Sequence, residues 1–285
     1  MGSRMAANLL RAGHALVVHN RTRSKARPLL ARGAQWADTP ADAARDAEVL
    51  VTMLADPNAV AQTAEGEHGF LQTLREGALW IDCSTVNPSF SRIEAAQARA
   101  VGVRFLDAPV AGTTGPAEKA ELTFMVGGEP ADVAAARPVL EAMGKRVVHA
   151  GGHGGGTGLK MLVNLLLAQS MAAFAEALVL GEAMGLDRAR LFDVLLNTPV
   201  VPLFVGGKRA KIELDDYEPQ FPLKWMRKDL HLAGQTAYEQ EVALPMTSAV
   251  EELFALAARH GLGDQDFSAV YRFLKGSDAP PDPPA

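Results

Sequence analysis

The stretch GGGTGLKMLVNLLLAQSMAAFAEALVLGEAMG, Gly154 to Gly185, divides the chain into two halves of different kind. Its glycine run opens into a long apolar segment that predicts a helix over Gly158–Met184. Lys160 lies in the first turns and Asn164 follows at i+4, so both side chains leave one face. The positive end of a helix attracts anions and disfavours a second positive charge. That suits a lysine that trades its proton beside an anionic ligand. A snorkelling surface lysine and a satisfied core asparagine are the plainer reading of the same residues. The run Met161–Leu180 has membrane length, but Asn164, Gln169 and Glu176 interrupt it. A buried helix of a soluble protein is therefore expected, with no membrane partner.

Before this stretch, strand and helix patterns alternate. MGSRMAANLLRAG (Met1–Gly13) predicts a helix, ALVVHN (Ala15–Asn20) a strand, and Arg23–Arg32 a short helix. A weak strand at Gln35–Trp36, a helix at Pro40–Asp46 and a strand at VLVTML (Val49–Leu54) follow. Gly69–Leu74 reads as a short helix, ALWID (Ala78–Asp82) as a strand, and Asn87 with Pro88 opens a helix to Ala100. Strands at Arg104–Leu106, Leu122–Val126 and Arg146–His149, with a helix at Pro130–Met143, complete a parallel α/β pattern. After His149 only helices fit: Asp187–Asn197, Leu223–Tyr238, Pro245–Gly261 and Phe267–Phe273, besides the long one. The expected division is 1–152, an α/β domain, and 153–276, an all-α domain. The Pro- and Asp-rich tail 277–285 is expected to be disordered.

A length of 285 residues allows one large domain or two ordinary ones, and 48% apolar residues is enough for a real core. The net charge of −5 leaves no electrostatic footprint for nucleic acid. The single Cys83 cannot form an internal disulfide, which fits a reducing, cytoplasmic setting. His149 and His153 are four apart, but they lie in a glycine-rich linker without a carboxylate or cysteine pattern, so no metal site is expected. Cys83 reads as packing beside a buried strand.

The beginning is unusual. A doubly wound sheet grows outward from a central first strand that leads into the glycine-rich phosphate turn. This chain opens on the helix that should follow that turn. Either the fold is of another kind, or the first strand is absent.

The order and spacing of five segments resemble the β-hydroxyacid dehydrogenase family, which includes 3-hydroxyisobutyrate dehydrogenases, tartronate semialdehyde reductases and glyoxylate/succinic semialdehyde reductases. The resemblance runs from Met1 to about Leu274. It implies a Rossmann-like domain, a helical dehydrogenase domain and a nicotinamide cofactor. MGSRMAANLLRAG resembles the second half of the dinucleotide fingerprint, with Gly2 at the third glycine and Met1 at a normally internal methionine. An N-terminally truncated chain is expected on that ground. HNRTRSK (His19–Lys25) stands where the adenosine ribose is read. Asn20, Arg21 and Thr22 replace an acidic residue there, which suits a 2′-phosphate and so NADP, with NAD the alternative. A solvated basic turn is the other reading of those residues.

MLADPNAV (Met53–Val60) resembles the loop after the fourth strand and assigns Leu54 and Ala55 to the cofactor, with Ala55 standing where the family has proline. DCSTVNP (Asp82–Pro88) carries Thr85 to the nicotinamide side. DAPVAGTTGPAEKAELTFMVGG (Asp107–Gly128) resembles the substrate signature, and Ala111, Gly112 and Thr113 are carried to the substrate carboxylate. Ala111 replaces the usual serine and removes a side-chain donor. The Pro116-Ala117-Glu118 run stands nearer the glyoxylate/succinic semialdehyde reductases. GGGTGLKMLVN carries Lys160 as the general acid/base and Asn164 as a substrate contact. FPLKWMRKDLHLA (Phe221–Ala233) carries Phe221 and Asp229 to the substrate and Lys228 to the cofactor.

The resulting expectation is an NADPH-dependent oxidoreductase acting on a short aldehyde or keto acid. An NAD-dependent 3-hydroxyisobutyrate-type dehydrogenase and a non-catalytic module are the alternatives. The long apolar helix needs covering on more than one side, so a homodimer or homotetramer is expected.

Overall fold

A computed structural model describes residues 1–276. The expectation of a disordered tail at 277–285 lies outside the described residues. The chain separates into two compact units, Met1–Met161 and the residues from Leu162 onward. The division falls inside the long helix rather than in the linker before it.

The first unit begins with α1 (Gly2–Arg11), β1 (Val17–Val18), α2 (Arg27–Leu30), β2 (Gln35–Trp36), α3 (Pro40–Ala44) and β3 (Val49–Thr52). It continues through α4 (Pro57–Glu65), β4 (Leu79–Asp82), α5 (Pro88–Ala100), β5 (Arg104–Asp107) and β6 (Val110–Ala111). Helix α6 (Thr114–Glu118), β7 (Leu122–Val126), α7 (Pro130–Met143) and β8 (Gly144–His149) complete it. Strands β3, β4 and β5 pair in parallel in that order, with Val49 opposite Leu79 and Leu79 opposite Arg104. Every residue of β4 is buried, as a central strand of apolar sequence requires. Its Trp80 meets Phe70 and Phe105 edge-on at 4.9 and 4.8 Å, and these rings fill one face. On the other face Met5 and Leu9 of α1 join Leu79, Ile81, Leu106 and Phe124.

The sheet is split. Among the described residues β1 pairs only with β2, and β3 has β4 as its one neighbour. Val17 stays exposed and Val49, Leu50 and Val51 are only half-buried, whereas all of β4 is covered. Leu16, Val49, Val51 and Met53 nevertheless pack against one cluster, under α1. Among the described residues β1 and β3 are not paired with each other.

Several local expectations are corrected. Ala15–Asn20 contributes only a two-residue strand, and Arg23–Arg32 divides into a 3₁₀ turn and α2. Gly69–Leu74 is not a helix. Its Phe70 and Leu71 N–H groups bond back to Thr63 and Ala64 of α4, so their partners lie outside the segment. Asn87 occupies the cap position of α5, but its amide donates to Ser89 Oγ instead of accepting a helix N–H. The short β6 runs antiparallel to β7, so the pairing is not wholly parallel.

The second unit holds α8 (Gly155–Ala183) from Leu162 onward, with α9 (Arg188–Leu195), α10 (Leu203–Gly206), α11 (Arg209–Glu213), α12 (Leu223–Glu239), α13 (Pro245–Ala257) and α14 (Val270–Lys275). Ala168, Met171, Ala172, Ala175 and Leu178 of α8 enter its core beside Phe192, Leu223, Met226, Leu230, Phe254 and Phe267. Helix α8 is long and apolar enough to cross a membrane by length and composition. Its buried positions form one face, and Leu162, Val163, Leu166 and Leu180 stay exposed on the rest.

Candidate active site

In the first unit the sequence-predicted residues gather at the carboxyl ends of the strands. Leu54 and Ala55 follow β3, and Thr85 follows the neighbouring β4. The Leu54 N–H donates to Ser84 Oγ at 2.9 Å, which ties the two strand ends together. Ser84 is fixed in turn by its own N–H on Asp82 Oδ1, an oxygen that also accepts from Thr52 Oγ1. Burial pushes the Asp82 carboxyl up, against these hydrogen bonds. Burial likewise raises the Cys83 thiol well above its usual range, which makes it inert packing. Gly2 at the start of α1 lies against Met53, where an added Cβ would approach the Met53 Cβ to 3.5 Å.

Asn20, Arg21 and Thr22 are exposed after β1, with the Asn20 amide donating to the Thr22 carbonyl. Arg23 is occupied, stacked over Trp36 at 5.3 Å and near Asp38. Arg21 has no partner among the described residues and no carboxylate stands in its turn. Asn20, Arg21, Thr22, Leu54, Ala55 and Thr85 thus all follow strand ends of the first unit.

Ala111 ends β6, and Gly112 and Thr113 lead exposed into α6. Gly112 has φ +128°, a conformation side-chain-bearing residues rarely adopt, and a Cβ there would stand 2.8 Å from Leu122 Cδ2. The Asn8 amide of α1 donates to the Ala117 carbonyl at 2.7 Å and docks this segment on the fingerprint helix.

The start of α8 is held by a residue that sequence reasoning did not single out. Asp107, fully buried at the end of β5, accepts from Gly154 N at 2.8 Å, Thr157 N at 2.9 Å and Thr157 Oγ1 at 3.3 Å. Burial raises its carboxyl, and the Thr157 and Gly154 N–H groups pull the other way. Ser91 Oγ reaches Thr157 Oγ1 at 3.3 Å, which closes the network. The backbones meet so closely that a Cβ on Gly156 would lie 2.6 Å from the Asp107 carbonyl. Half-buried Lys160 follows three residues after Thr157 on this clamped turn. His149 at the end of β8 sets its Nε2 against the Gly128 and Gly151 carbonyls, and His153 in the following linker sets its Nε2 against the Phe105 carbonyl.

In the second unit Asn164 and Asp229 are buried together. The Asn164 amide donates to Asp229 Oδ2 at 2.5 Å, and Lys228 Nζ stands 2.8 Å from Asp229 Oδ1. Phe221, half-buried just before α12, packs edge-on against Phe267 at 5.9 Å. The structure therefore joins Asn164, Lys228 and Asp229 into one cluster. Its asparagine sits one helical turn beyond Lys160 on α8.

Residues 1–152 match the family described as the NAD binding domain of 6-phosphogluconate dehydrogenase. Residues 154–274 match the NAD-binding family of NADP-dependent 3-hydroxyisobutyrate dehydrogenase. The chain is 36% identical over 281 residues to glyoxylate/succinic semialdehyde reductase 2, chloroplastic, of Arabidopsis thaliana, covering 97% of this chain and 77% of that one. It is 37% identical over 287 residues to 3-hydroxyisobutyrate dehydrogenase of Pseudomonas aeruginosa, covering 98% and 96%. The chain belongs to the β-hydroxyacid dehydrogenase family. The solved structure of the Mycobacterium tuberculosis 3-hydroxyisobutyrate dehydrogenase with L-serine superposes with a TM-score of 0.87 at 33% identity, covering 96% of each chain.

As a β-hydroxyacid dehydrogenase the protein is an NAD(P)-dependent oxidoreductase, with a Rossmann-like first domain and a helical second one. Its substrates are of the small hydroxy- and keto-acid class. Asp107 stood inside a quoted motif without a role. Its signal, an aspartate ending a buried strand, becomes readable only with the α8 N-terminus beside it.

Proposed function

We propose that this dehydrogenase is an NADPH-linked reductase of a short aldehyde or keto acid, with glyoxylate and succinic semialdehyde the leading substrates. The observation that carries the cofactor preference is Arg21, exposed, unpaired among the described residues and unaccompanied by a carboxylate in its turn. A guanidinium there pairs with a 2′-phosphate and has no such partner on a 2′-hydroxyl. Leu54, Ala55 and Thr85 are the proposed contacts of the nicotinamide half, with Gly2 at the phosphates and Lys228 on the cofactor side.

NADPH, when bound, supplies the hydride. Gly112 and Thr113 offer N–H groups to the substrate carboxylate, without the side-chain donor that Ala111 lacks. Lys160, as the ammonium, gives a proton to the carbonyl oxygen as it becomes an alcohol, and in the oxidation direction the neutral amine takes it back. Asn164, pinned by Asp229, holds the reacting oxygen or the lysine, and Phe221 keeps water out. Support comes from the Asp107 clamp, which fixes the turn that presents Lys160.

The exposed apolar residues of α8 support a homodimer or homotetramer, because covering a large aliphatic side chain contributes about 1.5–3 kcal/mol. The proposed domains are 1–152 and 153–276.

The test is a turnover screen that follows reduced nicotinamide absorbance with NADPH and NADH over glyoxylate, succinic semialdehyde, tartronate semialdehyde and, in the reverse direction, 3-hydroxyisobutyrate. Turnover of glyoxylate or succinic semialdehyde with NADPH preferred supports the proposal. Preferential oxidation of 3-hydroxyisobutyrate with NAD would replace it with the dehydrogenase alternative. No turnover and no NADPH binding would favour a non-catalytic module.

A further inference from the structure

The second unit contains a buried ion pair that the chemistry above does not use. Lys208, in front of α11, is 5% exposed and Asp266 is fully buried. Lys208 Nζ stands 2.9 Å from Asp266 Oδ1 and 3.0 Å from Oδ2, lies 4.7 Å from the Phe267 ring centre, and reaches Gln220 Oε1 at 3.4 Å. The carboxylate accepts four more hydrogen bonds. Oδ1 takes Ser268 N and Ser268 Oγ at 3.2 and 2.7 Å, and Oδ2 takes Gln220 N and Phe221 N at 3.1 and 3.2 Å.

The remaining backbone groups of the loop are taken by the same segment. Phe267 N donates to the Phe221 carbonyl at 2.9 Å, Asp266 N to Tyr217 O at 2.9 Å, and Leu223 N to Gln265 O at 2.8 Å. Phe221 is therefore held at its N–H by the Asp266 carboxylate, at its C=O by Phe267 N and at its ring by the Phe267 side chain. Helix α12, with Lys228 and Asp229, starts two residues later.

A buried ion pair is a poor source of stability, because desolvation cancels much of the attraction and well-packed apolar residues commonly serve as well. Its distinctive product here is direction. An anion that must satisfy a lysine and four N–H or O–H donors tolerates one loop geometry. We propose that Lys208 and Asp266 are positioning residues for substrate recognition, their ion pair fixing the Gln220–Phe221 backbone and with it the Phe221 ring and the entry to α12. This inference rests on the reading that puts Phe221 on the substrate side.

The test uses the full chain and the variants Asp266→Asn, Lys208→Met, both together, Phe221→Ala, and Phe221→Ala combined with Lys208→Met. Amide hydrogen exchange over residues 218–224 reads the backbone. Steady-state reduction of glyoxylate with NADPH reads the consequence. In Asp266→Asn the Phe221 amide should exchange about 10-fold faster or more, and the KM for glyoxylate should rise about 3–10-fold, as for a lost charge-assisted hydrogen bond acting through a loop. The KM for NADPH should stay within about twofold. Once Phe221→Ala is present, Lys208→Met should add less than about twofold, because both changes act through one ring. The double-charge variant keeps the test open if Asp266→Asn alone leaves an unpaired lysine that prevents folding.

Unchanged exchange at Phe221 would overturn the inference. So would a lowered melting temperature with unaltered KM, or a full Lys208→Met effect in the Phe221→Ala background. A Phe221→Ala variant with unaltered KM would instead overturn the substrate-side reading of Phe221, and faster exchange in Asp266→Asn tells the two failures apart.

Discussion

Replacing Asp107 by asparagine should weaken the first domain and slow catalysis together. The carboxylate meets only donors: Gly154 N, Thr157 N and Thr157 Oγ1. An asparagine keeps one acceptor oxygen and turns an NH₂ group toward whichever N–H loses its oxygen. One buried donor is then unsatisfied, which costs about 1–3 kcal/mol. The lost charge adds little, because burial already works against the anion. For a domain of this size each kcal/mol moves the midpoint by about 2–4 °C, so thermal unfolding followed by circular dichroism should show a fall of roughly 2–12 °C. Fraying of the first turn of α8 displaces Lys160, and kcat should drop about 10-fold or more, as expected for loss of near-attack geometry. Thr157→Val, which keeps the N–H on Asp107 and removes the Oγ1 contacts to Asp107, the Gly154 carbonyl and Ser91, should do less. An Asp107→Asn protein that melts within a degree of the parent and turns over at the same rate would refute the clamp.

Two other outcomes follow from single residues and a third from a pair. Arg21→Asp should raise the KM for NADPH by roughly 10–100-fold while sparing NADH, the size of a lost charged hydrogen bond; an unchanged cofactor preference in steady-state kinetics would remove Arg21 from the ribose site. Glu94, 1% exposed, is pushed up to about 8 by burial and then by Glu65 and Asp82, from an ordinary 4.5. The folded state therefore holds the extra proton, and the stabilisation it contributes is lost as pH rises from about 4.5 to 8. Glu94→Gln cannot ionise, so its stability relative to the parent in urea titrations should grow across that window by about 2–5 kcal/mol and then level off; parallel pH profiles would show that Glu94 titrates normally. Leu162→Glu with Leu166→Glu, at positions 59% and 62% exposed, should lower the mass measured by light scattering to that of one chain; an unaltered oligomer would place the contact elsewhere.

What the sequence made legible was local. The β-branched and aromatic runs of β3, β4 and β7, and the i, i+4 placement of Lys160 and Asn164 on α8, depend on neighbours in the chain and stand where the pattern put them. Helix α4 was also legible and was passed over: Asp56 accepts the Ala59 N–H and Pro57 fills the first turn. Gly69–Leu74 misled for a different reason. Phe70, Leu71 and Leu74 have helical spacing and face the core, but two of their N–H groups are taken by the end of α4. The clamps lay beyond pattern reading altogether. Asp107 finds its donors 47 and 50 residues away, and Asp266 its lysine 58 residues away. In the linear chain each is an unremarkable acidic residue, and its partners meet it only after two elements have packed. Strand β6 is similar, since two residues become a strand only through antiparallel pairing with β7.

The claim on which the chemistry depends is that the Lys160 amine moves the proton at the substrate oxygen. Single-turnover reduction of glyoxylate by NADPH, compared between the parent and Lys160→Met, measures that step directly. The rate should fall by about 10²–10⁴-fold, with the NADPH dissociation constant and the melting temperature held. A Lys160→Met protein that reduces glyoxylate at the parental rate would leave the lysine without a chemical role.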